Sequence, residues 1–447
     1  MNSSLRLAPG FGGEVGNSVS RDGEVDLMIT GIGQLCTLDC PELDAQGPRR
    51  RGAMSELGVV TDAALAVAAG RIVATGTQTE VLAALYPDGV PDVVRRIDAG
   101  NRAVVPGFVD PHTHTVFGKT RQDEYERRIL GESYLEIAAA GGGIHSSVED
   151  LRRRDEDELV ELAVPRLREM LAHGTTTVEI KSGYGLSLED ELKMLRAARR
   201  AADVTGIGTV RTCLAAHEIP REYRDNRQEY VRKVTEEILP EVARAGLAQR
   251  CDVFCEPSVF GLEESVVILS RARDLGLSLT IHADELEAFG GAVLAARMGA
   301  DSADHLIKID QAGRDALASS DTVAVLLPGT VFTLGLHGYA PGRGMIDEGC
   351  AVALASDFNP GSCPILSLPL IMAIACTQMR LTPAESLVAS TLNSAWALGR
   401  QEEVGSLAPG KRADFVILDG DDYRLIPYRA GHNPVDRIFL GGKDIKS

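Results

Sequence analysis

The chain has 447 residues, 44% hydrophobic and 25% charged, which is ordinary for a soluble globular protein and long enough for a large domain with an accessory one. A formal net charge of −18 opposes contact with phosphate backbones, so nucleic acid is not expected as a partner. The best apolar run, Ile365 to Met379, is too short to cross a bilayer and contains Pro369, so no membrane span is expected either.

The first 25 residues, rich in Ser, Gly and Asn and lacking an apolar core segment, read as a loose terminus and not a signal peptide. From residue 26 to 102, runs such as DLMITGIGQLCTL and ALAVAAGRIVATG are strands joined by short turns, the pattern of antiparallel pairing. The polar stretch from Asp44 to Glu56, with Arg49, Arg50 and Arg51, reads as a solvated loop between apolar segments. Residues 395–447 carry RADFVILD and VDRIFLGGK, so both ends of the chain are expected to meet in one small composite β-sandwich.

Residues 103–394 have a different rhythm. Eight short β-rich runs recur, at 103–114, 175–182, 211–218, 251–257, 278–285, 300–306, 322–329 and 350–359, each ending in polar residues. Helical periods separate them, as in residues 157–174, apolar at i, i+3 and i+4 and stopped by Gly174. Near-continuous apolar strands alternating with helices imply a parallel sheet covered on both sides. Eight such units imply an α/β fold, a (β/α)8 barrel.

Functional groups in such a barrel gather at the C-terminal strand ends, where the βα loops open. The polar residues ending the runs obey this rule: His112, His114, Lys181, Tyr184, His217, Glu256, His282, Glu285, His305, Asp357 and Asn359. Five of the nine histidines are among them, whereas chance placement would scatter them. Alternate residues on a strand point the same way, so His112 and His114 can aim both imidazoles at one ion. His282 and Asp357 from other strands complete an N3O set suited to zinc or iron, with a position left for water.

Two phosphate-loop readings fail. The Gly118-Lys119-Thr120 triplet has Thr113 where the first glycine of a P-loop belongs, and the AGGGIHSSV run from Ala140 to Val148 lacks the lysine. That second run is open to reading as a lid or as a plain loop. The eight cysteines form no C-x-x-C pair and have mostly apolar neighbours, as reduced cysteines of a cytoplasmic protein do. His145, His173, His337 and His432 lie away from strand ends and read as structural or surface residues.

PGFVDPHTH, EIKSGYGL, IHADE, SADHL, LLPGT and DFNPGS, in this order, resemble the imidazolonepropionase family of the amidohydrolase superfamily from about Asp26 to the C-terminus. The resemblance implies a (β/α)8 barrel with a composite β-sandwich, a cytoplasmic homodimer, and hydrolysis of 4-imidazolone-5-propanoate to N-formimidoyl-L-glutamate in histidine degradation. It implies His112, His114, His282 and Asp357 as ligands of one Zn2+ or Fe2+/Fe3+ per chain, since strand 4 ends in Glu256 where two-metal relatives place a carboxylated lysine. It implies Arg121, Tyr184, His217, Glu285, Asn359, Gly361 and Ser362 as contacts for a small anionic substrate, with His305 beside the metal. Small departures from the family pattern stand near the site: Gly118-Lys119 for Gly-Gly, AAHEIP for GAH, and ASDFNPGS for ATDFNPGS.

A cyclic amide is a poor electrophile and neutral water a poor nucleophile, and a bound divalent ion addresses both. In this scheme Asp357 relays the proton of water to the departing ring nitrogen, with Glu285 and His305 orienting water and ring. Arg121 and Tyr184 hold the propionate, a guanidinium fork being matched to a carboxylate. A nucleobase deaminase on the same scaffold is the rival reading, and it would leave that carboxylate clamp idle. Lys181 is expected in a structural ion pair.

Overall fold

A computed structural model describes residues 4–9, 11, 24–44, 47–132, 136, 137 and 141–445. The eight runs form one parallel sheet: β1 (Phe108–Asp110), β2 (Thr175–Lys181), β3 (Gly208–Ala216), β4 (Arg250–Cys255), β5 (Ser278–Ala283), β6 (Ser302–His305), β7 (Val323–Leu326) and β8 (Val352–Leu354). Strands adjacent in sequence are adjacent in the sheet, and every pair is parallel. Most strands are shorter than the runs because their polar ends leave the ladder and become the loops of the C-terminal face.

The seam between β8 and β1 closes just beyond the strands themselves. Thr113 bridges to Phe358, the His114 amide donates to the Phe358 carbonyl at 2.8 Å, and the Asp357 amide donates to the His112 carbonyl at 3.1 Å. Residues expected to bind metal thus carry the hydrogen bonds that shut the barrel. Closure and site assembly are one event.

Helices cover the outer face. Glu156–Ala172 begins at Asp155, whose side chain and that of Glu158 form a reciprocal capping box that satisfies amides the helix leaves unpaired. Its buried stripe, Leu159, Ala163, Leu167 and Met170, shares one apolar cluster with Ala197, Ala198 and Ala201 of the next helix, Leu188–Thr205. The apolar run around Pro369 is the buried helix Leu368–Met379, with the proline in its first turn, where its missing N–H costs nothing. Ile144–Arg153 is also a helix, so the run read as a lid or loop is neither over those residues, and its first residue, Ala140, lies outside the described ones. Most of the expected loose N-terminus also lies outside them. No helix among the described residues is long and apolar enough to cross a membrane.

Both ends of the chain do meet in a second sheet, of nine strands. Leu27–Cys36, Val59–Ala68 and Arg71–Thr77 pair antiparallel, and Phe415–Leu418 joins Val435–Leu440. Alternation sorts the side chains: Leu27, Ile29, Leu65 and Val67 enter one core with Phe415 and Phe439, while Met28, Ala64 and Ala66 enter another with Val81 of a covering helix. Two findings correct the expected pattern. Leu27–Cys36 pairs parallel with Arg95–Asp98 and with Ala103–Pro106. The run at 103–114 is divided, its first part joining this sheet through Phe415–Leu418 and only Phe108–Asp110 entering the barrel.

The arginine run is not a solvated loop. Arg49 is buried; its guanidinium donates to the carbonyls of Leu38 (2.8 Å) and Glu56, and its backbone is clamped by the Asn393 amide. Arg50 donates to the carbonyls of Gly349 (3.0 Å) and Ser320 (2.6 Å), which precede β8 and β7. The loops on the barrel's N-terminal face leave carbonyls without strand partners, and guanidinium groups supply donors for them. Arg49→Ala is therefore expected to destabilise the fold by about 3 kcal/mol, since it strands buried carbonyls. The urea unfolding midpoint should fall with the slope unchanged.

Candidate active site

The expected ligands converge at the C-terminal mouth. Ligand atoms of His112, His114 and Asp357 lie within 4.8 Å of one another, as do those of His112, His282 and His305, and of His114, His217 and His282. Asp357 Oδ1 stands 3.6 Å from His112 Nε2 and 3.6 Å from His114 Nε2. Donors about 2.1 Å from one ion in tetrahedral array sit roughly 3.4 Å apart, so this spacing fits a metal. His112 Nε2 is buried without a hydrogen-bond partner, which a cation would remedy.

Carboxylates behind the imidazoles fix which nitrogen faces the cluster. Asp304 Oδ2 lies 2.7 Å from His112 Nδ1, and Asp252 Oδ2 lies 2.8 Å from His282 Nδ1. The bond to Asp304 keeps the proton of His112 on Nδ1 and leaves its Nε2 bare for an ion, and the Asp252 charge beside His282 Nδ1 favours a proton on that side as well. Burial, aided by the Lys181 charge, holds His112 well below its ordinary pKa, so it stays a neutral ligand. At His282 burial works the same way, but Asp252 outweighs it and raises the group.

The groups expected to handle protons sit around this cluster. Asp357 is pushed up to about 6 by burial, against the hydrogen bond that Thr330 donates to its second oxygen. Its φ of 54° lies in the left-handed region, and so do His305 (77°) and Leu306 (60°). Held in place by surrounding bonds, such strain turns side chains toward a site that relaxed strands would miss. Burial, with the Asp357 charge adding to it, raises Glu285 to about 8. Its carboxylate lies 3.6 Å from His305 Nε2. His217 Nδ1 lies 3.0 Å from the Gly183 carbonyl, and burial lowers the ring to about 3, so its Nε2 is an acceptor. The His217 ring stacks on His114 with centroids 5.0 Å apart.

Arg121, expected to hold the anion, is fixed on two sides. It precedes the helix Gln122–Ile129, and Glu124 takes its Nε (3.0 Å) and one terminal nitrogen (2.9 Å). The guanidinium lies flat against Gly361, where a β-carbon would approach Nη1 at 2.4 Å and Cζ at 2.5 Å. Only glycine leaves room for it there. Tyr184, also buried, is close enough that the Arg121 charge acts on its hydroxyl, and its ring is 5.8 Å from that of His114.

The chain is similar to known proteins along most of its length. Residues 103–445 match the model of the amidohydrolase family. An imidazolonepropionase of Symbiobacterium thermophilum is 49% identical over 94% of this chain and 97% of its own, and one of Bacillus velezensis is 45% identical over 95% and 98%. The chain belongs to the imidazolonepropionases of the amidohydrolase family. A solved adenosine deaminase of Xanthomonas campestris with bound zinc shares the fold, with a TM-score of 0.69 at 19% identity over 94% of this chain and 92% of that one.

Against the imidazolonepropionase pattern, the structure brings His112, His114, His282, Asp357, His305, Glu285, His217 and Tyr184 to one mouth. Asn359 is differently employed. Its amide nitrogen donates to the Asp357 carbonyl (2.7 Å) and to Ser362 Oγ (2.8 Å), while its oxygen accepts from the amides of Gly361 (2.8 Å) and Ser362 (2.7 Å). It builds the loop that presents Asp357 and Gly361. Glu256 likewise accepts from the amides of Glu285 (2.7 Å) and Leu286 (2.9 Å) and so holds the loop after β5. Lys119 lies exposed at the rim, its amide bonded to Asp150.

Several supporting residues escape a sequence reading. Glu191 accepts the amides of Gly183, Gly185 and Leu186 and so fixes the loop bearing Tyr184. Arg128 donates to the Gly361 carbonyl at 2.9 Å, and Arg166 fastens the Thr115, Phe117 and Gly118 carbonyls of the loop leading to Arg121. Asp252, Asp304 and Glu179 lie inside apolar runs, where only barrel closure reveals what they face.

Proposed function

We propose that the chain hydrolyses the cyclic amide of 4-imidazolone-5-propanoate to N-formimidoyl-L-glutamate, using one divalent ion held by His112, His114, His282 and Asp357. The observation that carries this reading is the Arg121 guanidinium lodged against Gly361, four residues beyond the Asp357 carboxylate that stands among the histidines. The names and near-complete coverage of the relatives support it. Zinc and iron both suit the N3O donor set.

A bound divalent ion supplies an acidified water and polarises the ring carbonyl. Asp357 accepts a proton from the attacking water and passes it to the ring nitrogen as the C–N bond breaks, leaving a new carboxylate on the former carbonyl carbon. Glu285 and His305, facing each other, orient water and ring. His217 presents a bare Nε2 to a ring N–H, because its other nitrogen is committed to Gly183. Arg121, oriented by Glu124, takes the propionate with Tyr184 beside it.

A cytoplasmic setting is proposed with this, supported by eight free cysteines, most of them buried. A homodimer rests on family resemblance. The division into residues 26–102 with 395–447 as one domain and 103–394 as the other is proposed from the change in strand pattern, with Ala103–Pro106 moved to the first by its pairing. The test of function is metal analysis of purified protein coupled to the loss of imidazolone propanoate absorbance. Chelation should abolish turnover, and Zn2+ or Fe2+ should restore it. Activity on nucleobases but not on the imidazolone would assign the chain to the deaminase class instead.

A further inference from the structure

The metal ligands come from the odd strands and the seam, whereas the layer beneath them comes from even strands. Glu179 and Lys181 belong to β2, Asp252 to β4 and Asp304 to β6, the alternation by which a closed barrel fills its interior in layers. Among the described residues Lys181 is the cation that these carboxylates surround, and its side chain is fully buried. Its Nζ lies 2.8 Å from Glu179 Oε1, 2.8 Å from Asp252 Oδ2 and 3.7 Å from Asp304 Oδ2.

Each of those carboxylates in turn holds a ligand or its backbone. Asp252 holds the ring of His282 and, through its other oxygen, the His282 amide (3.2 Å). Asp304 holds His112, helped by Thr280 at 3.1 Å. Glu179 accepts the amide of Thr113 (3.2 Å), between His112 and His114, while its carbonyl takes the Thr113 hydroxyl (2.6 Å). The Lys181 amide completes the grip by donating to the Thr113 carbonyl at 2.9 Å. One ammonium thus touches the supports of three expected ligands.

We propose that Lys181 is a positioning residue for the metal centre: it pins Glu179, Asp252 and Asp304 so that His112, His114 and His282 are aimed before an ion arrives. The inference rests on the proposed metal-dependent function but concerns assembly of the site. A bystander that only balances charge makes the opposite prediction. Removing a positive charge beneath a cation site would tighten cation binding by Coulomb attraction, whereas loss of positioning loosens it.

The experiment is a chelator-competition titration of apo-protein with Zn2+, accompanied by the visible spectrum of the Co2+-loaded form. Lys181→Met is expected to weaken Zn2+ binding by about 10 to 100-fold and to alter the Co2+ spectrum. The double variant E179Q/K181M removes one charge of each sign, so the layer keeps its net charge while losing the ammonium. Binding should stay at least about 10-fold weak in it. Wild-type affinity in either folded variant, with an unchanged Co2+ spectrum, overturns the proposal, and failure of both variants to fold by circular dichroism does so too. If wild-type protein itself takes up no divalent ion, the functional reading falls first and this one with it.

Discussion

Asp357→Asn is expected to leave a folded, metal-loaded protein whose kcat is lower by about three orders of magnitude. Asparagine is the informative replacement because it tolerates the left-handed backbone (φ 54°) at this position nearly as well as aspartate does. Its side-chain oxygen can still face the ion, while its amide nitrogen, standing where the second oxygen was, donates to the Thr330 hydroxyl. What it cannot do is take a proton from water and return it to the leaving nitrogen. The main loss should appear in kcat with KM little changed, the mark of an interaction made only in the transition state. Metal content measured on the same sample separates this from simple loss of the ion. A metal-replete variant with near-normal kcat would falsify the relay role and leave Asp357 only as a ligand.

The barrel was legible in the sequence because each strand is buried on both sides and therefore appears as an apolar run with a polar end. The same feature conceals what happens inside a run. Ala103 to Asp110 is continuously buried, so nothing in its hydropathy marks where one sheet ends and the other begins. Gly107 is the joint: a β-carbon there would stand 2.2 Å from Thr176 Oγ1, and it is this close approach that lets the chain pass between sheets. Histidines at strand ends were visible as candidate ligands because their positions break the apolar pattern. Glu179, Asp252 and Asp304 were not, since a polar residue inside a strand acquires meaning only when its neighbours across the barrel are known. Arg49 and Arg50 misled for a related reason: their partners are backbone carbonyls, which have no sequence signature. Asn359, expected to touch substrate, spends its hydrogen bonds within its own loop.

Arg121→Gln is expected to reduce kcat/KM by about 10² to 10³-fold, mostly through KM, because a buried charge pair with the propionate contributes several kcal/mol. The structure explains why no other group substitutes. Glu124 fixes the guanidinium on one edge, Gly361 supports its face, and Arg128 is committed to the Gly361 carbonyl. The remaining edge is free to form a fork with a carboxylate, a geometry that glutamine and lysine cannot reproduce. Gly361→Ala should act in the same direction with a smaller loss, about tenfold: the new methyl displaces the guanidinium without removing its charge. An imidazolone lacking the propionate provides the internal control, since wild type and both variants should turn it over at similar, low rates. If Arg121→Gln raises KM for the natural substrate less than twofold, the anion is bound elsewhere, and Arg121 serves only to hold the Gly361 loop in place.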